Sequence, residues 1–254
     1  MEAVFLGTGT STGVPQLGCE CRTCRSTDVR DKRMRSSILL KDVEGQNVLI
    51  DCGPDFYHQM LREHSPRIDA LLLTHIHYDH VGGLDDMRPY CGNGPIDVYC
   101  TADVARDLRS RMPYCFAQNP YPGVPSFSLH VIEPYTPFQI GNARFTPLPV
   151  MHYKLPIVGF KTCNFAYITD CKTMPERTID ELRHIEILVL NALRNEPHLS
   201  HLSLDEALKL IGEIRPERAY LTHISHQLGL HSDVQATLPA NVRLAYDGLC
   251  LDIR

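Results

Sequence analysis

Short apolar runs punctuate this chain, and stretches of mixed polarity separate them. Ser36 to Lys41 and Asn47 to Asp51 flank Asp42-Val43-Glu44-Gly45-Gln46, a pattern that predicts a hairpin. Ile68 to Thr74 predicts a buried strand, and further strands are predicted at Ile96–Cys100, Ala143–Met151, Asn164–Thr169, Glu186–Leu190 and Arg218–Leu221. Between them the apolar period lengthens. Phe56 to Glu63 predicts a short helix, and Val104 and Leu108 mark an i, i+4 face on a helix over Val104–Arg111. Pro175 near its start favours a helix over 175–184. Leu204, Leu208 and Ile211 mark another over Leu204–Ile214, with Ser203 as its N-cap and Glu206 closing a capping box. Strands and helices alternate without repeats or low-complexity tracts, which suits a layered α/β architecture.

The chemistry sits where these runs end. Right after the strand at 68–74 comes His75-Ile76-His77-Tyr78-Asp79-His80. His75 and His77 are two apart, so in an extended segment they project to one side, and Asp79 and His80 follow where the chain turns. His152 closes the run 143–151, Asp170 closes 164–169, and His223 closes the run ending at Thr222. In layered α/β architectures such strand ends gather along one rim, where sites are built. Seven side chains of metal-ligand type suit two ions with a carboxylate between them. Near the other end of the chain, Gly18-Cys19-Glu20-Cys21-Arg22-Thr23-Cys24 offers three thiolates, one short of a tetrahedral zinc site.

HxHxDH followed in order by a lone His, a lone Asp and a last His resembles the metallo-β-lactamase superfamily. Phe5-Leu6-Gly7-Thr8-Gly9-Thr10 resembles its opening strand and glycine turn, and Leu49-Ile50-Asp51-Cys52-Gly53 its second-strand Asp-x-Gly; the likeness runs on to Asp247-Gly248. Within it the chain is most similar to the phosphodiesterase branch, which includes the phosphoribosyl cyclic phosphate phosphodiesterases and, further off, the tRNA 3′-processing endonucleases. The resemblance implies a four-layer αββα sandwich, one hydrolase domain over residues 1–254, with a zinc-binding loop at about 18–26. It implies two divalent ions, zinc or manganese, in one cleft. His75, His77, His152 and a shared Asp170 would hold the first; Asp79, His80, His223 and Asp170 would hold the second, with Asp79 also counted as catalytic. It implies that His226 completes Cys19, Cys21 and Cys24 around one structural zinc. It assigns His201, just ahead of the helix at 204, as a catalytic histidine that binds no metal; His198 is its rival in the same segment. The reaction expected is hydrolysis of a small or cyclic phosphodiester by activated hydroxide. A tRNA-processing nuclease, or a thioester or lactone hydrolase, are the alternatives. Relatives often pair as homodimers, so a homodimer is the partner expectation beside the substrate.

Composition refines this. With 254 residues the chain can bury a sizeable core, and a 43% hydrophobic, 22% charged composition is ordinary for a soluble globular protein. A net charge of −5 argues against a dedicated nucleic-acid surface, and no apolar run is long enough to span a membrane. No signal peptide is read, and reduced cysteines such as Cys52, Cys100, Cys163 and Cys250 read as small hydrophobes, so a cytoplasmic location is expected. Four further readings are open or modest. Met112 to Phe127, rich in proline and aromatics, is either a lid on substrate or a loop packing its own rings. Asp51 either orients a ligand histidine or caps a turn. Arg33 and Arg35 could meet a phosphate, but a solvated strand start is the preferred reading. Cys171 stands where relatives commonly carry threonine, which leaves open what supports Asp170.

Overall fold

Alternation along the strands explains the architecture of the computed structural model, which describes residues 1–117 and 121–253. The strands are β1 (Glu2–Gly7), β2 (Ser37–Val43), β3 (Gln46–Ile50), β4 (Ala70–Leu72), β5 (Ile96–Cys100), β6 (Phe127–Val131), β7 (Phe138–Ile140), β8 (Ala143–His152), β9 (Leu155–Thr162), β10 (Phe165–Ile168), β11 (Ile187–Asn191), β12 (Arg218–Thr222), β13 (Val242–Leu244) and β14 (Cys250–Asp252). The helices are α1 (Arg22–Arg25), α2 (Phe56–Arg62), α3 (Tyr78–Val81), α4 (Ala102–Arg111), α5 (Glu176–Leu182), α6 (Leu204–Ile214) and α7 (His231–Gln235).

The strands form two sheets, ordered β14-β1-β2-β3-β4-β5-β6 and β13-β12-β11-β10-β9-β8-β7. Alternate residues of one strand serve different cores. Ala3 and Phe5 of β1, with Ile38 and Leu40 of β2, face the layer between the sheets, where they meet Phe160, Tyr167 and Val189 of the second sheet. Their neighbours Val4, Leu6 and Leu39 face outward onto Phe56 of α2 and Val104 and Leu108 of α4. The second sheet does likewise: Leu188 and Leu190 pack outward on Ile179 of α5 and Ala207 and Ile211 of α6. Both faces of both sheets are covered, so the strands read as continuous apolar runs. This is the αββα sandwich that the sequence implied.

Several predicted elements run close to their expected bounds, among them β5, α6 and the β2–β3 hairpin. The strand expected at 68–74 is shorter, pairing only at Ala70–Leu72. β9 escaped prediction, as did the short strands at the sheet edges. β8 carries Pro147 and Pro149, yet it lies inside the sheet order. β7 pairs with it only at residues 143–145, so the prolines sit where one side of β8 lacks a strand partner.

Three local readings change. Arg33 is buried, not solvated. Cys163 and Cys250 are exposed, unlike Cys52 and Cys100, so the first two do not act as core hydrophobes. In the proline-rich segment Phe116 packs on Phe127, with ring centroids 6.4 Å apart, and the Tyr114 hydroxyl donates to Asp85 at 2.8 Å. Pro120, which belonged to that lid reading, lies outside the described residues. Among the described residues no helix is long and apolar enough to cross a membrane.

The topology brings the ligands together. β3–β6 run parallel, so Asp51 and His75 leave the same edge of the first sheet. β8, antiparallel to β9, points the same way as β10, β11 and β12, so His152, Asp170, Asn191 and His223 leave one edge of the second. The Thr8 carbonyl accepts from Ile224 N at 2.9 Å, and Thr10 N donates to Ile224 O at 3.1 Å. That tie joins the two edges into one rim.

Candidate metal centre

Four imidazoles at the rim, His75, His80, His152 and His223, are turned by a polar contact on the far side. Asp51, in a left-handed conformation with φ 62°, is fully buried. Its carboxylate accepts from Thr74 N at 2.9 Å and from the Thr74 hydroxyl at 2.8 Å. The same carboxylate takes His80 Nδ1 at 2.7 Å, which leaves His80 Nε2 to face the cleft. The Thr74 hydroxyl gives its proton to Asp51, so its oxygen accepts from His75 Nδ1 at 2.9 Å and frees His75 Nε2. His152 donates Nδ1–H to the Ser200 carbonyl at 2.9 Å. His223 places Nε2 3.2 Å from the Thr10 hydroxyl and turns Nδ1 inward. A β-carbon at Gly53 would collide with the Asp79 carbonyl oxygen, so glycine is what lets α3 settle against the loop after β3.

The inward atoms fall into two sets, each with one ligand atom per residue lying within 4.8 Å of the others: His75, His77 and His152, and Asp79, His80, Asp170 and His223. Asp170 stands between them. Its Oδ1 is 3.3 Å from His80 Nε2 and 3.1 Å from His223 Nδ1, while its Oδ2 is 3.9 Å from His75 Nε2. His75 Nε2 and His77 Nδ1 converge at 3.1 Å. His80 Nε2 and His223 Nδ1 are buried with no hydrogen-bond partner. Buried polar atoms without partners are rare, and here they converge with carboxylate oxygens on common points. That is the donor set a divalent cation takes.

The charges agree. Burial opposes a charge on His80, but Asp170, Asp79 and Asp51 outweigh it and hold its pKa well above the usual imidazole value. Burial, then His80, drives His75 the other way, well below. Without a cation the carboxylates recruit a proton to His80; a divalent ion would supply that positive charge instead.

His201 is buried beside the same cleft. Its Nδ1 has no hydrogen-bond partner and lies 3.8 Å from Asp170 Oδ2. Its ring stacks on His223 at 4.7 Å and tilts against His152 at 4.6 Å. His198 is half-exposed and accepts from Ser200 N within its own loop at 3.3 Å. The structure thus turns His201, not His198, towards Asp170. The capping box holds that segment: Ser203 N donates to Glu206 at 2.8 Å, and Glu206 also takes Lys172 Nζ at 2.7 Å.

Three supporting residues were missed in the sequence: Thr74 and Thr10, which hold His75 and His223, and Asn191. The side chain of Asn191 accepts from Cys171 N at 2.7 Å and donates to Cys171 O at 3.0 Å. This amide clamp fixes the turn after β10 and answers what supports Asp170, whose Oδ1 also accepts from Thr169 at 2.7 Å. The Cys171 side chain only packs in the core. A buried asparagine ending an apolar strand was the available signal.

Cys19, Cys21, Cys24 and His226 form a separate group, also within 4.8 Å of one another. His226 Nδ1 is 3.4 Å from Cys19 Sγ and 3.3 Å from Cys21 Sγ. The Cys24 backbone N–H, then His226, bring the Cys21 thiol down to about 6, while burial pushes Cys24 up to about 11. Three thiols and an imidazole facing one point suit a closed tetrahedral zinc site.

A family model described as the β-lactamase superfamily domain matches residues 46–224. The chain belongs to the β-lactamase superfamily. The matched domain carries a cluster of histidines and aspartates that could hold metal ions. The crystal structure of a diphosphatase from the PhnP family superposes with a TM-score of 0.91 at 37% identity, covering 100% of this chain and 98% of that one. Zinc-bound PqqB from Methylobacterium extorquens shares the superfamily fold at a TM-score of 0.80 and 21% identity, with both chains fully covered. In sequence, a Porphyromonas gingivalis octanoyltransferase is 43% identical over 250 residues, 98% of this chain but 51% of that protein. The superfamily chain therefore spans about half the length of that curated relative.

Proposed function

We propose that this protein hydrolyses a P–O bond in a small substrate, the ester bond of a cyclic or linear phosphodiester or the anhydride bond of a diphosphate, with His75, His77, His152, Asp79, His80, His223 and Asp170 as the residues that would hold two divalent ions. The feature that carries the reading is His201: its buried, partnerless Nδ1 lies 3.8 Å from the Asp170 carboxylate and within ligand reach of His152 and Asp170, and we assign it a catalytic rather than a metal-holding role. The PhnP-family diphosphatase at 37% identity supports it.

Two divalent ions in these positions would lower the pKa of a water towards neutrality and offset charge on phosphoryl oxygens. The residues do the rest. Asp170 sets the spacing of the two donor sets. Asp51 and Thr74 hold His80 and His75 in one tautomer. Burial, then His223, keeps His201 down at about 3, so it is neutral in the free cleft. A neutral imidazole can donate one N–H to a phosphoryl oxygen, and the negative charge of a bound phosphate would raise its pKa towards proton donation to the leaving alkoxide. His201→Ala should lower turnover about 10²-fold while metal content stays intact; near-normal turnover in that variant would remove His201 from the reaction. Zinc or manganese in the cleft and zinc at the cysteine site are the expected ions.

A second reading has one observation behind it. The relative named octanoyltransferase points to acyl chemistry, and a thioester or acyl ester could be opened by the same donor set. A panel of bis-p-nitrophenyl phosphate, a cyclic nucleotide, a nucleoside diphosphate, precursor tRNA and an acyl thioester, run on metal-quantified protein, decides between them. Thioester turnover without phosphoester turnover overturns the first reading.

A further inference from the structure

We infer that a second small-molecule site lies on the flank of the sandwich, built to take a phosphate-bearing ligand and separate from the metal centre. It is a cavity of about 510 Å³ between the loop at 10–17 and the segment leading into β2. None of the candidate metal ligands lines it. Four cationic side chains do, Lys32, Arg33, Arg35 and Arg62, against the two carboxylates Asp55 and Asp247. The chain as a whole carries a net charge of −5, so this concentration of positive charge runs against its average.

Arg33 is the anchor. It is 5% exposed. Its Nη1 donates to the Thr8 hydroxyl at 2.8 Å and to the Ala245 carbonyl at 2.6 Å, and its Nη2 faces His231 Nδ1 at 3.3 Å. Among the described residues no carboxylate oxygen comes within 4.0 Å of its guanidinium. A deeply buried arginine normally touches its counter-ion, because a lone charge in a poorly solvated place is expensive; here Asp247 is reached only through the Thr8 hydroxyl, which donates to it at 2.7 Å. Lys32 donates to the Cys24 carbonyl at 3.1 Å, and Arg62 to the Leu6 carbonyl at 2.8 Å with Asp247 at 4.0 Å. Arg35 is matched by Asp55 at 3.0 Å and Arg62 by Glu63 at 3.3 Å, so Lys32 and Arg33 are the two with no carboxylate oxygen within 4.0 Å among the described residues. The set lacks a compact anion, and guanidinium and ammonium groups together are what phosphate oxygens take.

The cavity's shape adds to this. Gly13 holds φ +66°, and a β-carbon there would come within 3.2 Å of the Arg33 carbonyl and 3.7 Å of Arg35 Nη1. Glycine keeps that wall low. On the rim stand two bare apolar side chains, Leu17 at 95% exposure and Val29 at 78%. Charge in the depth and apolar surface at the lip suit a ligand with a phosphate at one end and an apolar body at the other, as in a nucleotide. The site also sits between the two metal sites. Its wall loop begins beside Thr10, which touches His223, and passes Gln16, whose N–H reaches Cys24 Sγ at 3.4 Å.

The probe is ADP, titrated calorimetrically into Asp170→Asn protein, because the parent's metal centre could itself take a diphosphate. Binding of one equivalent is expected to survive in Asp170→Asn, where the metal centre is disabled. Lys32→Glu should weaken that binding at least about 10-fold, the lower end expected for a lost charge-assisted hydrogen bond. Arg33→Gln should do the same if it folds; Lys32→Glu, at a half-exposed position, carries the test if it does not. Adenosine should bind far more weakly than ADP. The inference is overturned if Asp170→Asn abolishes ADP binding, if Lys32→Glu leaves it unchanged, or if adenosine binds as tightly.

Discussion

The cleft and the cysteine cluster are both shaped for cations, by opposite means. In the cleft, most of the ligand side chains are buried, on the last residue of a strand, in the loop just beyond one or, for Asp79 and His80, on α3, and the far sides of four imidazoles are fixed by Asp51, Thr74, Thr10 and the Ser200 carbonyl. In the cysteine cluster, Cys19 and Cys21 are half-exposed and sit on a loop whose one helix, α1, is four residues long. The geometry of the cleft belongs to the sheets and exists before any ion arrives. The loop is tied by fewer and more exposed contacts, among them Lys32 to the Cys24 carbonyl and Arg22 to Asp233, so an ion would add more to its order. The comparison teaches that the same ligand chemistry serves reactivity where the frame is rigid, and assembly where it is not.

The comparison breaks most easily at Asp170. Asp170→Asn should cut turnover by about 10³-fold, since one side chain serves both donor sets. Elemental analysis should show the cleft ions lost and the zinc at Cys19, Cys21, Cys24 and His226 retained; loss of all ions together would mean that the two regions are not independent. Next comes Asp51→Asn. Weakening the partner of a ligand imidazole should lower ion affinity in the cleft about 10- to 100-fold, read by competition with a chelator. Cys21→Ser should act the other way round. Its unfolding midpoint should drop by roughly 5 °C or more, with turnover per folded molecule within a few-fold of the parent. An unchanged midpoint would remove the assembly role from the loop.

The smallest effect concerns His231, which packs against Arg33 on the loop side. Burial, then Arg33, holds its pKa down to about 4 against an ordinary 6.5. Between these values the unfolded chain binds the extra proton. The stability it contributes is therefore complete above about 6.5 and lost as pH falls through that window to about 4. His231→Gln should flatten the fall of the melting temperature across that window by a few degrees, as a difference between variant and parent, with the full shift setting the upper limit. A parallel pair of curves would contradict the assignment.

These contrasts also explain what was legible in the sequence. Cleft ligands were visible because an apolar run announces a strand, and a His or Asp at its end breaks the run. The cysteine motif announced itself by its CxCxxC spacing alone, with no apolar run beside it. The supports were not visible. Asn191 reaches Cys171, Thr10 reaches His223, and Arg33 reaches Thr8 and Ala245, all across strands far apart in sequence. Such pairings depend on which strands become neighbours, and local pattern does not carry that information. Arg33 was misread for this reason: its flanking charges suggest a wet surface, while the fold closes over it. β9 was hidden because Gly159 and Pro156 interrupt an otherwise strand-like run.

Asp51, Asp170 and His223 all hold left-handed backbone conformations, with φ of 62°, 57° and 55°. A side chain in that region is strained by of order 1 kcal/mol, which glycine would relieve. Three such residues at one rim set durability against reactivity. A laboratory selection that rewarded heat resistance alone would tend to discard them one by one, and would deliver a sturdier scaffold that no longer does any chemistry.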